Sequence, residues 1–195
     1  LYTSAEISAT FDPAVPTSIE QMLDFQTYRY FVTNGRATPS DPYAGMMEAL
    51  HDNSILRALF GFLAGRPRTA AIMGGHREVR GSPAYRSIVT LSKKLSEAGF
   101  LLASGGGPGA MEATHLGALL RREGNSAIEA AIASLATQPT LPPMADRVVS
   151  SAGQIDYAVL ADLHAWSRPA HELMRQLGAR SGLSSCVGRW GASTW

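Results

Sequence analysis

The pattern of hydrophobic and polar positions predicts strand, helix and strand in the middle of the chain. Two short apolar runs, Ala70 to Met73 and Phe100 to Ala103, each break into glycine where a buried strand would end. Between them, apolar residues recur at helical spacing with polar and charged residues in the gaps. This order predicts a βαβ unit.

Helical periodicity dominates the sequence before this unit. One helix is predicted over residues 19–31, with Thr17 or Ser18 as its N-cap and aromatic residues along the face that packs on the core. A second helical stretch is predicted over residues 44–64, with an interruption near Asn53-Ser54. Its apolar side chains would cover a sheet face or a second subunit.

Helical patterns also follow the central unit. An alanine-rich helix is predicted over residues 127–136, and a longer helical pattern over residues 155–177, which Pro169 is expected to split into two pieces. Between them, residues 147–149 suit a short strand or an extended connection. The chain ends in a Gly/Ser-rich run, residues 181–195.

A glycine-rich turn joins the second predicted strand to the next helix. It reads Ser104-Gly105-Gly106-Gly107-Pro108-Gly109, and the helix continues through Met111. Such a turn places backbone N–H groups at a helix N-terminus, where they can bind a phosphate with the helix dipole behind them. Residues 74–77 follow the first strand and should border the same crevice. The alternative is a tight structural turn, because neither G-x-G-x-x-G in its usual place nor a P-loop sequence is present.

These residues resemble the LOG family, the Lonely Guy-like proteins also labelled lysine decarboxylase-like. The resemblance rests on Met73-Gly74-Gly75, on Tyr85, and on the run A-G-F-x-L-x-S-G-G-G-P-G-x-M-E-A from Ala98 to Ala113. It implies a Rossmann-like fold and a site for nucleoside 5'-monophosphates, which catalytic members cleave to free base and ribose 5-phosphate. The family's second signature, P-G-G-x-G-T-x-x-E, whose glutamate serves hydrolysis, does not occur in this sequence.

The fold class expected from the pattern and the resemblance is therefore α/β, a Rossmann-like parallel sheet flanked by helices. Residues 1–66 would form a helical N-terminal section, and residues 67–195 a nucleotide-binding domain. Sheets usually have about five or six strands, whereas only two strands are convincing here. Either an oligomer completes the core or the chain shown is incomplete; we expect the second, with part of the C-terminal half of this domain missing.

The predicted nucleotide-binding residues come from the two glycine turns and the start of the following helix. They are Gly74, Gly75, Arg77, Ser104, Gly105, Gly106, Gly107, Pro108, Gly109, Ala110, Met111 and Glu112. Arg77 offers charge-assisted hydrogen bonds to a phosphate, whereas His76 suits ordinary loop exposure.

Glu112 is the candidate catalytic residue. Its carboxylate would hydrogen-bond a ribose hydroxyl or assist departure of the base; the alternative is an acidic residue that the dipole favours at a helix N-terminus. His115 has no serine or cysteine in a nucleophile pattern near it in the sequence, which favours a packed or surface role. His164 and His171 lack the spacing of a metal motif, so no metal site is predicted.

The composition limits the classes of partner that we expect for this protein. Lys plus Arg is 17 and Asp plus Glu 16, so the net charge of +1 gives no general attraction to nucleic acid or to a membrane surface. The single cysteine, Cys186, excludes an intramolecular disulfide and suits a reducing compartment, and no signal or membrane segment is evident. We expect a cytoplasmic homodimer or higher homo-oligomer that binds an AMP-like nucleoside monophosphate without a cofactor.

Three functions are compatible with the sequence. The first is a phosphoribohydrolase that breaks the N-glycosidic bond of a nucleoside monophosphate. The second is a nucleotide-binding module without catalysis, which the missing second signature favours. The third is a structural or assembly protein in which the glycine run is only a turn.

Overall fold

The structure of the protein, a computed structural model, describes residues 1–39, 41–65 and 68–181 of the chain. Over these residues helices predominate. In chain order the elements are α1 (Ser4–Ile7), a 3-10 helix (Pro16–Gln21), α2 (Leu23–Thr33), α3 (Pro42–Leu63), β1 (Thr69–Ala71), α4 (Pro83–Glu97), β2 (Leu101–Ala103), α5 (Ala110–Leu119), α6 (Asn125–Leu135), a second 3-10 helix (Ala145–Arg147) and α7 (Tyr157–Ser181).

The predicted βαβ unit is present. Strands β1 and β2 pair in parallel, with Thr69 opposite Leu101 and Ala71 opposite Ala103, and α4 connects them. Helix α4 begins where the Ser82 side chain accepts a hydrogen bond from the Tyr85 N–H, with Pro83 in the first turn. Because the strands are parallel, the turns that follow them lie at the same end of the pair.

The expectation of a Rossmann-like sheet flanked by helices is wrong. The structure has 59% helix and 5% strand, with one two-stranded sheet in its described part. The apolar residues that would supply further strands lie at helical spacing and form helices instead. Residues 147–149 contribute the end of a 3-10 helix and a single antiparallel bridge between Val149 and Ile155.

The first core cluster lies between helices. It combines residues of α4, α5, α6 and α7, and its fully buried members include Tyr85, Val89, Leu116, Ile132 and Leu135. At Gly117 of α5, an added Cβ would lie 2.3 Å from the Val89 carbonyl oxygen of α4. Glycine is therefore required for the close approach of these two helices.

A second core cluster joins the N-terminal section to α7 and the connection before it. Ile19, Met22, Phe25, Tyr28 and Val32 pack with four apolar residues of α7 and its preceding connection (Val148, Val149, Leu160 and Leu163). The predicted packing role of the aromatic face of α2 holds for Phe25 and Tyr28, which are buried. The division between residues 66 and 67 stays a prediction, because Arg66 and Pro67 lie outside the described residues.

Two predicted helix breaks are wrong. Helix α3 runs without interruption through Asn53 and Ser54, because both side chains bond within the helix: Arg57 Nε donates to Asn53 Oδ1, and Ser54 Oγ donates to the Leu50 carbonyl. Helix α7 likewise continues through Pro169. Buried residues on both sides of this proline hold the helix against the core and offset the lost hydrogen bond.

The predicted Gly/Ser-rich end, residues 181–195, lies outside the described residues except for its first residue. Among the helices that the structure describes, none combines the length and the apolar character that crossing a membrane requires.

Candidate functional site

The two glycine turns are in direct contact at the end of the parallel strands. The Ala110 N–H donates a hydrogen bond of 3.0 Å to the Gly75 carbonyl oxygen. An added Cβ on Gly109 would lie 2.2 Å from that oxygen, and one on Gly75 would lie 2.5 Å from the Ala110 Cβ. Both glycines also have positive φ angles, +69° and +70°. Glycine is therefore required at both positions, and the turns form one unit.

Helix α5 begins at this contact. Its N-cap is Gly109, which has no side chain to accept a hydrogen bond from the first turn. The Ala110 N–H is bonded to Gly75, and the Ala113 N–H is bonded to the Gly109 carbonyl. Helix N-termini carry a partial positive charge and usually receive a capping acceptor. The Met111 and Glu112 N–H groups in the first turn of α5 therefore receive no side-chain cap from Gly109.

The remaining predicted residues differ in exposure. Gly106, Gly107, Met111 and Glu112 are buried, whereas Ser104, Gly105 and Pro108 are half-buried. Gly74, His76 and Arg77 are exposed on the first turn. The structure thus brings the predicted loop residues together, with the Arg77 guanidinium on a solvent-accessible segment next to the glycine contact.

Ser104 and His115 form a pair that sequence reasoning missed. Ser104 Oγ and His115 Nε2 lie 2.7 Å apart, and the Gly106 N–H donates to the same oxygen at 3.2 Å. Ser104 follows β2, and His115 lies on the second turn of α5, so the glycine turn folds one back onto the other. Burial lowers the pKa of His115, which favours the neutral imidazole. The eleven-residue separation matches no nucleophile motif, so only the fold shows the pair.

Glu112 is held by a buried arginine. The Arg80 Nε and Nη2 groups donate to its two oxygens at 2.8 and 2.6 Å, and the Tyr85 hydroxyl donates to Oε2 at 3.0 Å. Arg80 and Glu112 are 3% and 4% exposed. Burial, with the Glu112 charge adding to it, raises the pKa of Tyr85, so its hydroxyl remains protonated.

Arg80 also connects three distant segments. Its Nη1 donates to the carbonyl oxygens of Gln138 and Trp166, its backbone N–H donates to the Pro139 carbonyl, and its guanidinium lies 4.2 Å from the centre of the Trp166 ring. The segment of Gln138 and Pro139 is thereby tied to the side chain that holds Glu112. No sequence motif marks Arg80, because its partners are 32 to 86 residues away.

The two histidines of α7 contact the N-terminal segment. Phe11 stacks on His171 and His164, with ring centres 3.9 and 4.9 Å away, and His164 Nε2 lies 2.8 Å from the Asp12 carbonyl oxygen. Burial, with His164 adding to it, lowers the pKa of His171 to about 4. Within the described part of the chain, no cluster of three or more His, Cys, Asp or Glu residues could hold a metal ion.

Comparison of the chain with family models, with curated proteins and with solved structures gives no match.

Proposed function

We propose that the two glycine turns bind the 5'-phosphate of a nucleoside monophosphate. The observation that carries the proposal is the contact between Gly75 and Gly109 at the N-terminus of α5. Glycines in both turns let the backbone approach a ligand closely, and the helix N-terminus favours an anion there. The resemblance to the LOG family, which rests on the run from Ala98 to Ala113, supports a nucleotide as the source of the phosphate.

The charges around the site suit an anion. A carboxylate in the first turn of α5 would by itself repel a phosphate, but the two hydrogen bonds from Arg80 balance the charge of Glu112. The dipole of α5 then acts on the ligand without an opposing net charge. Arg77, on the exposed first turn, adds a guanidinium that can form two hydrogen bonds to phosphate oxygens.

Ser104 provides a side-chain hydroxyl in the glycine-rich turn that follows β2. Its position between the Gly106 N–H and His115 Nε2 fixes its orientation. When His115 donates from Nε2, the hydroxyl proton of Ser104 points to an acceptor outside the pair. Ser104 therefore contributes a hydrogen bond to the phosphate in this proposal, and His115 positions it.

Hydrolysis of the N-glycosidic bond is the second candidate, and the match of Ala98 to Ala113 to the LOG family favours it. Both oxygens of Glu112 are bonded to Arg80 and one also to Tyr85, which favours a positioning role for this carboxylate over proton transfer. The glutamate that catalytic family members use belongs to a signature that this sequence does not contain.

Calorimetric titration with AMP, adenosine and inorganic phosphate tests the binding proposal. We expect AMP to bind, adenosine to bind at least about tenfold more weakly because it lacks the charge-assisted bonds, and phosphate to compete with AMP. Arg77→Ala should weaken AMP binding, whereas Arg122→Ala, also at an exposed arginine, should not. Equal affinity for AMP and adenosine, or no binding of either, would overturn the proposal.

Chromatography of the same AMP mixture separates the two candidates. Free adenine and ribose 5-phosphate that accumulate with time show hydrolysis, whereas binding with AMP recovered intact shows a module without catalysis. The third function, a structural or assembly protein, predicts neither binding nor turnover.

A further inference from the structure

The imidazole of His115 is one hydrogen bond away from the hydroxyl that would bind the phosphate. Its Nε2 atom lies 2.7 Å from Ser104 Oγ, and the Gly106 N–H donates to the same oxygen at 3.2 Å. A phosphate oxygen bonded to Ser104 Oγ would lie two hydrogen bonds, or at most about 5.5 Å, from His115 Nε2. An opposite charge at this distance stabilises the charged form of a titrating group. A bound phosphate would therefore act directly on the protonation of His115.

The hydrogen bonds of Ser104 limit the form of His115 that a bound anion permits. A hydroxyl donates one hydrogen bond and accepts two, and the Gly106 N–H uses one acceptor position. If His115 Nε2 accepted the hydroxyl proton, Ser104 Oγ and a phosphate dianion would face each other without a proton between them. An anion on Ser104 thus requires a proton on His115 Nε2. The charged imidazolium always carries this proton, whereas the neutral ring carries it in only one of its two tautomers.

The unliganded chain favours the neutral ring. Burial lowers the pKa of His115 below the ordinary histidine value of 6.5, because the charged form loses its hydration. At neutral pH the ring therefore carries one proton and can take up a second when an anion binds.

The titratable groups next to His115 are bonded to one another. Glu112, one turn earlier on α5, accepts hydrogen bonds from Arg80 and from Tyr85 of α4. Within the described part of the chain, burial is the only cause that shifts the pKa of His115, so none of these groups contributes. The charge of a ligand would then be the main electrostatic influence on this imidazole.

The first glycine turn carries a second imidazole, that of His76. It is exposed, as is Arg77 beside it, and Glu78 on the same turn accepts a hydrogen bond from the Ser82 hydroxyl. A protonated His76 would also attract an anion. A variant of His76 is therefore the control that separates the two histidines.

We propose, given a phosphate at the glycine turns, that its binding is coupled to the uptake of a proton by His115. The imidazolium donates from Nε2 to Ser104 Oγ, and Ser104 donates its own proton to the phosphate. The coupling is reciprocal, so protonation strengthens binding by the same factor by which binding favours protonation. Apart from the titration of the ligand, affinity should be highest in acid and should fall as the pH rises through the pKa of His115 in the complex.

Calorimetric titration with AMP between about pH 5.5 and about pH 8 tests the coupling in the parent chain, His115→Gln and His76→Gln. Glutamine can donate an amide N–H to Ser104 but takes up no proton. The AMP phosphate titrates near pH 6 with every chain, so the ratio of two Kd values at each pH removes its contribution. From the highest to the lowest pH, we expect the parent to gain at least about threefold in affinity relative to His115→Gln. His76→Gln should follow the parent.

Counting the protons that AMP binding exchanges requires no variant. Titration of the parent chain at about pH 7 in two buffers with different enthalpies of ionisation gives this number. We expect a net uptake, whereas a phosphate that only loses its last proton on binding would give a small release. Uptake that disappears in His76→Gln would assign the proton to His76 and overturn the coupling.

The outcomes separate this coupling from the proposed phosphate site. AMP binding with the same pH dependence in the parent and His115→Gln, or without proton uptake, would overturn the coupling and leave the site. Absence of AMP binding to the parent chain would overturn both. If His115→Gln does not fold, the proton counts of the parent and His76→Gln decide.

Discussion

The guanidinium of Arg80 and the carboxylate of Glu112 are joined by two hydrogen bonds in the interior, although 32 residues separate them in the sequence. Both side chains are almost fully buried. The pair joins the loop before α4 to the first turn of α5, the helix that follows the glycine-rich turn. The residue predicted to act on a substrate is thus also a structural anchor of the turn that would bind it.

Loss of one partner should therefore destabilise the fold. Glu112→Gln keeps the side-chain shape but leaves the Arg80 charge buried without a counter-charge, and we expect the free energy of unfolding to fall by about 3–5 kcal/mol. Urea denaturation measures this change. The control is Arg86→Met, which breaks the exposed ion pair between Arg86 and Glu129 and should cost at most about 1 kcal/mol. Equal effects of the two substitutions would contradict the anchoring role of Glu112.

The approach of α4 and α5 gives a second prediction. In Gly117→Ala the new methyl group would lie 2.3 Å from the Val89 carbonyl oxygen and 2.7 Å from the Ser92 Cβ, so the helices must separate. We expect a loss of about 1–3 kcal/mol in thermal or urea unfolding. Gly61→Ala in α3 is the matched control, because nothing lies within 4 Å of its new methyl group. It should stabilise the helix by about 0.5–1 kcal/mol, since alanine favours helix more than glycine.

The pair of Ser104 and His115 gives a third prediction. If the Ser104 hydroxyl bonds the phosphate, Ser104→Ala should raise the Kd for AMP by about tenfold or more, the usual loss for a hydrogen bond to a charged group. The melting temperature should change little, because the side chain is half-buried at a turn. Ser87→Ala, on the exposed side of α4, should leave the Kd unchanged. An unaltered Kd in Ser104→Ala would remove this hydroxyl from the proposed site.

His171 gives a prediction about pH. Burial lowers its pKa to about 4 in the folded chain, below the ordinary histidine value of about 6.5, so the unfolded chain binds the proton more readily. Stability should be highest above pH 6.5 and should fall as the pH decreases from 6.5 towards 4. The shift corresponds to an upper limit of about 3 kcal/mol.

Urea unfolding at a series of pH values measures the contribution of His171. His171→Gln removes the titrating group and should flatten the dependence between pH 6.5 and 4. His51→Gln, at an exposed histidine, should show the same dependence of stability on pH as the parent chain. If both variants keep the parent slope, other groups account for the pH dependence.

Much of the local structure could be predicted from the sequence. The alternation of two short apolar runs with a helical stretch gave β1, α4 and β2 in order, and the helical spacing of apolar residues placed the other predicted helices within a few residues of their observed bounds. The predicted helix breaks at Asn53-Ser54 and Pro169 were wrong. The side chains of Asn53 and Ser54 form hydrogen bonds within α3, and buried residues on both sides of Pro169 hold α7 against the core. The Rossmann-like sheet was wrong because the remaining apolar residues pack between helices.

The sequence by itself determined the two glycine turns and the helix that begins after the second. These depend on local properties: the missing Cβ of glycine and the spacing of apolar residues. Only the tertiary structure decided that Gly75 contacts Gly109, that Arg80 holds Glu112, and that Ser104 meets His115. Such contacts depend on how the elements pack, and no local pattern in a sequence specifies which distant side chains share a buried environment.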